Sequence, residues 1–522
     1  MSVESMNRNL QLSIDLVKAW GQAKLPNGKT FGQMLTYDAV SFWDLMSIHV
    51  ALYYVPEALS PFRKKQPHVL SLTKTYLSAC KQHLMNKKNI YLCAGKVPQK
   101  SLKPVFLFLG FQPYFYKDTI QPVVQSMVDD KKIDSVSLGE NLSGQSFDER
   151  SDQRSEVQSI WQYWNKDVQD YADSVMSSFK KAIKELKVMN ILPKIIEHQG
   201  QTLWPQLENA FDELFIFCLP YFVKRYAIAK HVLEHHRPAV IISSDVADPR
   251  TQMYCLLGRR LHIPTLEVQF GAYGPDSVEW QFALADRIAA WGETSRDTFL
   301  AHGVEQEKIV LAGSPRHDSM VSIDQNEVAQ TRAMLGIPKE KAMILFASCY
   351  SSIYDQIEWP DLVDSVKRAI FQSVGQNKDV CLVVKPHPLE KEKLTKKISG
   401  KQANIIFADK NDDIKRLIRA CDVFISLGTT ATLDALIAHK LVICPNFPGW
   451  IWSDLFVNSQ AVLAPRSKEE LTQAIQNTGD GERQKVLADL EPARKHFLQK
   501  WIYQLDGQAA MRISALAKQM AG

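Results

Sequence analysis

The sequence lacks most of the signatures by which a chain of this size declares its chemistry. Its 522 residues carry 62 basic and 57 acidic side chains, a net charge of only +5. A dedicated nucleic-acid-binding domain is usually strongly basic, so that class of partner is excluded. The eight cysteines form no CxxC pair and no zinc-finger spacing. Cys381, Cys421 and Cys444 lie in or beside apolar runs, where a free thiol behaves as a small hydrophobe. This predicts a reducing compartment, the cytoplasm. The amino terminus, MSVESMNRNLQLS, has no charged segment leading into an apolar one, so no signal peptide is expected. The longest apolar runs, such as FIFCLPYFV at 215–223, fall well short of the roughly 20 residues that span a bilayer. With 45% hydrophobic and 23% charged residues, the chain is neither disordered nor collagen-like nor a long coiled coil.

The familiar short motifs are missing too. There is no GxxxxGK[ST] and no GxGxxG after the first strand, where LFLGFQ offers a single glycine. That argues against an ordinary dinucleotide site. There is no GxSxG elbow and no HExxH. HVLEHH (231–236) sets His231 and His235 four apart with Glu234 between them. The simpler reading of that segment is a solvated helix end rather than a metal site.

What is present is a rhythm of short apolar runs and amphipathic segments. The first hundred residues read as mostly helical, and the aromatic stretch 39–55 reads as a packed helix. From residue 103, KPVFLFLGF followed by QPVVQSMVDD predicts strand, loop and helix. Residues 153–193 and 205–235 predict long helices. PAVIISS (238–244), IPTLEVQFG (263–271), DRIAAWG (286–292) and KIVLAGS (308–314) predict strands. After a polar stretch the pattern restarts with AMILFAS (342–348), DVCLVVKPHP (379–388), NIIFAD (404–409), DVFISLG (422–428) and LVICPNF (441–447). Helices close the chain over 467–475, where Ser467 and Glu470 suggest a capping box, and over 485–520. Short apolar strands alternating with helices imply parallel sheets covered on both faces. The expected class is therefore α/β, with two Rossmann-like domains facing a cleft behind a helical N-terminal extension. The expected divisions are 1–100 for the extension, 101–320 and 321–484 for the two domains, and 485–522 for the closing helices.

In open α/β sheets, ligands sit beyond the carboxyl ends of the strands, and four strand ends carry polar clusters. SSDVADPR (243–250) offers Asp245 and Asp248 as a general base or nucleophile, although either would equally serve as a helix N-cap. VQFGAYGPDSVEW (268–280) offers Gln269, Tyr273, Asp276 and Glu279 toward an acceptor, or is an ordinary connection. GSPRHDSM (313–320) offers Arg316 and His317 as phosphate contacts, since a guanidinium suits bidentate phosphate binding, or is a polar interdomain hinge. KPHP (385–388) and SLGTTATLDA (426–435) end two strands of one domain. There Lys385, His387, Ser426, Thr429 and Thr430 suit an anion, or the threonines merely cap a helix.

As an ordered set, IPTLEVQFGAYG, LADRIAAWGE (284–293), GSPRHD, KPHP and SLGTTATLDALI resemble the GT-B glycosyltransferases. The resemblance is to the bacterial branch that holds the CDP-glycerol glycerophosphotransferases and the capsule and lipopolysaccharide (Kdo-type) transferases. It covers about residues 235–450. Relatives often have His at the position of Phe270, and the Glu-Asp-Gly element of some members is absent.

The resemblance implies a metal-independent transferase without a cofactor, with the closing helices 485–522 crossing back to the first domain. It would move a sugar or glycerol phosphate from a nucleotide-activated donor, CMP- or CDP-linked, to a glycan or lipid-linked glycan acceptor. The place would be the cytoplasm, at the inner face of the cell membrane, with peripheral membrane contact. Ser314, Arg316, Lys385, His387, Ser426, Thr429, Thr430 and Asp434 would bind the donor. Gln269, Tyr273 and Glu279 would meet the acceptor, and Asp245, Asp248 and His387 would carry catalysis. Two other readings are a nucleotide-sugar epimerase of the same shape and an inactive GT-B scaffold.

Overall fold

The computed structural model describes residues 3–59, 84–85, 87–140, 157–274, 277–349, 362–387, 390, 392–400, 402–409, 411–448 and 454–522. Asp276 and Pro388 lie outside the described residues. The chain divides into two units. Unit 1 comprises Met1–Ala290, Arg296–Leu311 and Ala510–Gly522, and unit 2 comprises Trp291–Ser295 and Ala312–Ala509. The expected α/β class, with two Rossmann-like sheets after a helical N-terminal region, is what the structure has.

Among the described residues, the main sheet of unit 1 has seven parallel strands. They are β1 (Val105–Leu109), β2 (Asp134–Gly139), β3 (Val157–Ser159), β4 (Val240–Ser243), β5 (Thr265–Val268), β6 (Arg287–Ala290) and β7 (Ile309–Leu311), in the order β7-β6-β5-β4-β1-β2-β3. Every residue of β1 and β4 is buried, as expected for strands covered on both faces. The chain winds outward from β1 to β3, then returns beside β1 to start β4. The strand order therefore reverses between β1 and β4, where doubly wound sheets bind ligands.

The helical N-terminal region belongs to this unit. Phe42 sits edge-on to Phe179 at 4.8 Å and to Tyr226 at 5.3 Å, and Phe31 sits edge-on to Trp43 at 4.8 Å. Most of the aromatic stretch 39–55 is thus core, while Tyr53 stays exposed. Such pairs add about 0.5–1.5 kcal/mol each beyond their buried area.

Unit 2 has five parallel strands, β8 (Ala342–Ala347), β9 (Val380–Lys385), β10 (Ile405–Phe407), β11 (Val423–Ser426) and β12 (Leu441–Ile443), in the order β10-β9-β8-β11-β12. Its switch point lies between β8 and β11. Ala347 at the end of β8 stands opposite both Lys385 and Ser426. These two residues are therefore about 10 Å apart across the carboxyl edge, two strand spacings.

The helix expected over 153–193 begins later. Val157–Ser159 forms the edge strand β3, and the helix runs Lys166–Met189. Asn165 starts it by accepting a hydrogen bond from the Val168 amide at 2.9 Å. Upstream, Ser159 accepts from the Trp161 amide and turns the chain so that Ile160, Trp161 and Tyr163 are buried.

Candidate functional site

In unit 1 the ends of β2, β4 and β5 carry a network of buried charge. Glu140, directly after β2, accepts from both Arg225 and Arg250 (2.7 Å for the latter) and from the Tyr221 hydroxyl at 3.0 Å. Arg225 lies over the Tyr221 ring, 3.3 Å from its centre. Arg250 also grips Asp248 through two nitrogens, at 2.9 and 2.5 Å. Asp248 caps the helix Pro249–Leu261 by accepting from the Arg250 amide at 2.8 Å. Its carboxylate is therefore engaged by the helix start and by a guanidinium.

Asp245 differs. It follows β4 with a backbone φ of +112°, a region that non-glycine residues enter only at a cost of about 1–3 kcal/mol. Its amide donates to Glu267 Oε1 at 2.6 Å. Glu267 stands opposite Ser243 in the β4–β5 register, and the Ser243 hydroxyl donates to its Oε2 at 2.6 Å. Burial, and then the neighbouring Asp248 charge, push the Asp245 carboxyl up to about 7. Burial pushes Glu267 up to about 8, with the Asp245 charge adding to it against the Ser243 hydrogen bond.

The loop after β5 is less open than its sequence suggests. Gln269 is fully buried and donates to the Gly271 carbonyl at 2.7 Å. Tyr273 is buried edge-on to Trp280 at 5.1 Å, and burial raises its hydroxyl well above the usual phenol range. Phe270 stacks on Phe115 at 3.8 Å. Glu279 is half-buried in the short helix Val278–Phe282.

In unit 2, Lys385 ends β9 nearly buried and His387 follows half-buried. Burial lowers the His387 pKa from its ordinary value. Behind this turn sits Glu390, which accepts from the His387 amide at 3.1 Å, from Ser348 at 2.9 Å, from Lys367 at 2.6 Å and from Thr395. Burial pushes the Glu390 carboxyl up, but its donors, led by Lys367, outweigh that and leave its pKa lowered.

Across β8, the Ser426 oxygen accepts from the amides of Gly428 and Thr429, each at 3.1 Å, and from the Thr432 hydroxyl at 2.8 Å. Gly428 has a φ of +99°, which a glycine adopts without strain. Thr429 and Thr430 are half-buried at the start of the helix Ala431–Ile437. Asp434 of that helix is fully buried and meets Arg316 at 3.0 Å. Ser314 and His317 are buried beside Arg316, and His317 Nε2 is 3.5 Å from Asp434.

Residues 288–426 match the model of the family described as CDP-Glycerol:Poly(glycerophosphate) glycerophosphotransferase. The matched stretch runs from β6 to the last residue of β11 and includes the segments around Arg316 and His387. Among solved structures, the wall teichoic acid polymerase TagF has a TM-score of 0.50 at 12% identity, over 87% of this chain and 98% of that one. The UDP-GlcNAc 2-epimerase from Neisseria meningitidis bound to UDP-GlcNAc scores 0.46 at 12% identity, over 80% and 100%. S. aureus MnaA with UDP scores 0.46 at 17% identity, over 79% and 95%. No curated protein matches. The likeness to the polymerase is one of fold, the GT-B class.

The structure thus brings Lys385 and His387 to one side of the unit 2 switch point and Ser426, Thr429 and Thr430 to the other. It joins Arg316 to Asp434, and places Asp245 and Asp248 in one loop of unit 1. Glu140, Glu267, Arg225 and Arg250 in unit 1, with Glu390 and Lys367 in unit 2, escaped the sequence reading. The available signal for Glu267 was a carboxylate inside the apolar strand run PTLEV. Among the described residues, no group of three His, Cys, Asp or Glu side chains is placed to hold a metal ion. The rings of His231 and His235 lie 6.4 Å apart, and His235 instead contacts the Pro98 carbonyl at 3.1 Å.

Proposed function

We propose that the protein is a GT-B transferase that moves a sugar or glycerol phosphate from a cytidine-nucleotide donor to a bacterial surface-polysaccharide acceptor. The acceptor on this reading is a glycan or a lipid-linked glycan, met at the inner face of the cell membrane. The observation that carries the reading is the match over residues 288–426 to a family of CDP-glycerol:poly(glycerophosphate) glycerophosphotransferases.

The unit 2 site supports it chemically. Lys385 and His387 follow one strand at the switch point, where fixed donors stabilise charge on a departing nucleotide phosphate. Glu390 fixes the turn that carries His387. Thr429 and Thr430 complete the donor site, and the buried Arg316–Asp434 pair, beside Ser314, braces the helix behind them. In unit 1, Asp245 is the base. Its pKa near 7 suits proton transfer at neutral pH. With a glycerol phosphate donor, the acceptor oxygen forms a bond to phosphorus, the bond to the nucleotide breaks, and Asp245 takes the hydroxyl proton. With a sugar donor, the acceptor oxygen bonds to the anomeric carbon as the bond from that carbon to the nucleotide phosphate oxygen breaks, and Asp245 again takes the hydroxyl proton. Asp248, held by Arg250, shapes the loop. Gln269, Tyr273 and Glu279 shape the acceptor side, with Glu279 the most accessible of the three.

The test is a transfer assay with CDP-glycerol, CMP-sugars and UDP-sugars, run beside nucleotide-induced thermal shifts. A cytidine nucleotide at 100 times its dissociation constant should stabilise the protein by about 2.7 kcal/mol. His387→Ala should lower turnover at least about 100-fold, the scale of losing one transition-state donor, with the melting temperature kept. Full turnover in that variant, or stabilisation by uridine nucleotides alone, overturns the reading.

A further inference from the structure

Glu267 has no part in the functional reading so far, yet its position is unusual. It lies within β5 with 3% of its surface exposed. Its two hydrogen bonds come from a hydroxyl, Ser243, and an amide, Asp245. Among the described residues, no lysine or arginine forms an ion pair with it. The nearby guanidinium groups are committed elsewhere: Arg225 and Arg250 to Glu140, and Arg250 also to Asp248. A buried carboxylate without a cation is costly and takes up a proton instead. The Ser243 contact tolerates that proton, because a hydroxyl accepts as readily as it donates. Oε1 meanwhile accepts from the amide of Asp245, a residue held in a strained backbone conformation.

We propose that Glu267 is a positioning residue: as a neutral carboxylic acid it fixes the strained backbone of Asp245, leaving Asp245 the single ionised member of the pair. The proposal rests on the reading of Asp245 as the base. Two neighbouring carboxylates do not ionise together without penalty, so a proton on Glu267 lets Asp245 carry charge at neutral pH. The groups around the pair fit. Asp248, the cap of the helix Pro249–Leu261, and Arg250 and Cys255 within it face the pair, and Tyr273, itself beside Glu279, faces it from the segment after β5. Burial keeps the Cys255 thiol and the Tyr273 hydroxyl neutral at working pH. Glu140, Arg225 and Tyr221 form the adjoining network.

The direction of pH dependence follows. Both carboxyls have folded pKa values above their unfolded ones, about 7 for Asp245 and about 8 for Glu267. The folded state then binds more protons than the unfolded one between about pH 4 and pH 8, so stability falls as pH rises through that window. Transfer should rise through about pH 7 as Asp245 ionises, and fall again above about pH 8 as Glu267 ionises beside it.

Glu267→Gln copies the neutral acid. It should keep kcat within about threefold, lose the alkaline fall in rate, and melt higher than the wild type by a margin that is larger at pH 9 than at pH 5. Glu267→Ala removes the acceptor of the Asp245 amide and should lower kcat at least tenfold with donor KM unchanged. An alkaline limb and a melting profile identical in Glu267→Gln and wild type overturn the proposal. The melts need no substrate, so they decide the protonation of Glu267 whatever the reaction is. Asp245→Asn separates the two ideas. If it retains full transfer, the base assignment fails; if it is inactive while Glu267→Gln behaves as wild type at every pH, the Glu267 proposal alone fails.

Discussion

At the scale of single residues, the decisive distinction is between a charge that is held and a charge that is available. Arg316 and Asp434 are both buried and meet at 3.0 Å, Asp434 with no exposed surface at all. Arg316→Ala leaves that carboxylate buried without its guanidinium, which costs about 3–5 kcal/mol. Replacing both partners by apolar residues, Arg316→Met with Asp434→Leu, should recover most of the loss. Chemical denaturation reads both changes. A cytidine-nucleotide titration of the double variant then separates bracing from direct donor contact: unchanged affinity assigns bracing alone. The sequence named both residues but not their pairing, because a ridge of helix and a 3₁₀ turn 118 positions apart meet only through the fold. Asp248 was readable as an N-cap from its place before Pro249. Glu140, Glu267 and Glu390 were not, since a lone carboxylate in a chain gives no sign of whether water, a cation or a proton will satisfy it.

Elements were more legible than residues where hydrophobic period and length agreed. Every strand expected from 238 onward is present, somewhat shortened, because the polar residues after each run belong to the connecting loop. In the unit 1 sheet the misses are β2 and β3, whose sequences, DSVSLG and VQS, carry serines and too few apolar residues to stand out; the two-residue strand pairs at 36–41 and 197–202 were missed as well. At the last capping box, Ser467 accepts from the Glu470 amide at 3.2 Å, but Glu470 reaches back to the amide of Arg466 rather than of Ser467.

One surface element has a consequence outside the core. In the helical residues 84–85 and 87–93, Leu84, Tyr91 and Leu92 are exposed, Tyr91 to 88%. Exposed lysines at 87, 88, 96, 100 and 103 accompany them. Lys88, four positions from both Leu84 and Leu92, stands on the same face, and such a mixture of exposed apolar and basic side chains suits an anionic lipid surface. Each lysine near such a surface contributes about 1 kcal/mol. Reversing Lys87, Lys88 and Lys96 to Glu should therefore weaken co-sedimentation with anionic vesicles by at least about 100-fold. Equal binding of the variant and the wild type would falsify this surface contact. No helix among the described residues is long and apolar enough to cross a membrane.

For the molecule as a whole, the doubling of the strand–helix rhythm was enough to predict two doubly wound sheets, because parallel strands need covered crossovers and each sheet needs its own. The assembly of unit 1 from three separate stretches of chain is a different kind of fact. It depends on which surface the last helix covers; an amphipathic pattern does not name its partner, and only the family resemblance suggested a return to the first domain, which residues 510–522 make while 485–509 stay with unit 2. That helix, Ala509–Ala521, buries Ile513 and Ala517 completely. Lys518 meets Asp130 at 2.7 Å, and the Ser126 hydroxyl reaches the Ala510 carbonyl at 3.4 Å. Burying one isoleucine contributes about 1.5–3 kcal/mol, a sizeable share of the roughly 5–15 kcal/mol that holds a domain folded. Ending the chain after Gln508 should therefore loosen unit 1 while leaving unit 2 intact, although the deleted residues follow unit 2 directly in sequence. Hydrogen exchange makes the comparison within one sample. Amides of β1 and β2 should exchange at least about tenfold faster than in the full chain, while those of β8 and β9 keep their protection. Equal loss in both units would mean that the last helix supports them as one cooperative body, and unchanged protection in β1 and β2 would mean that it contributes nothing to either.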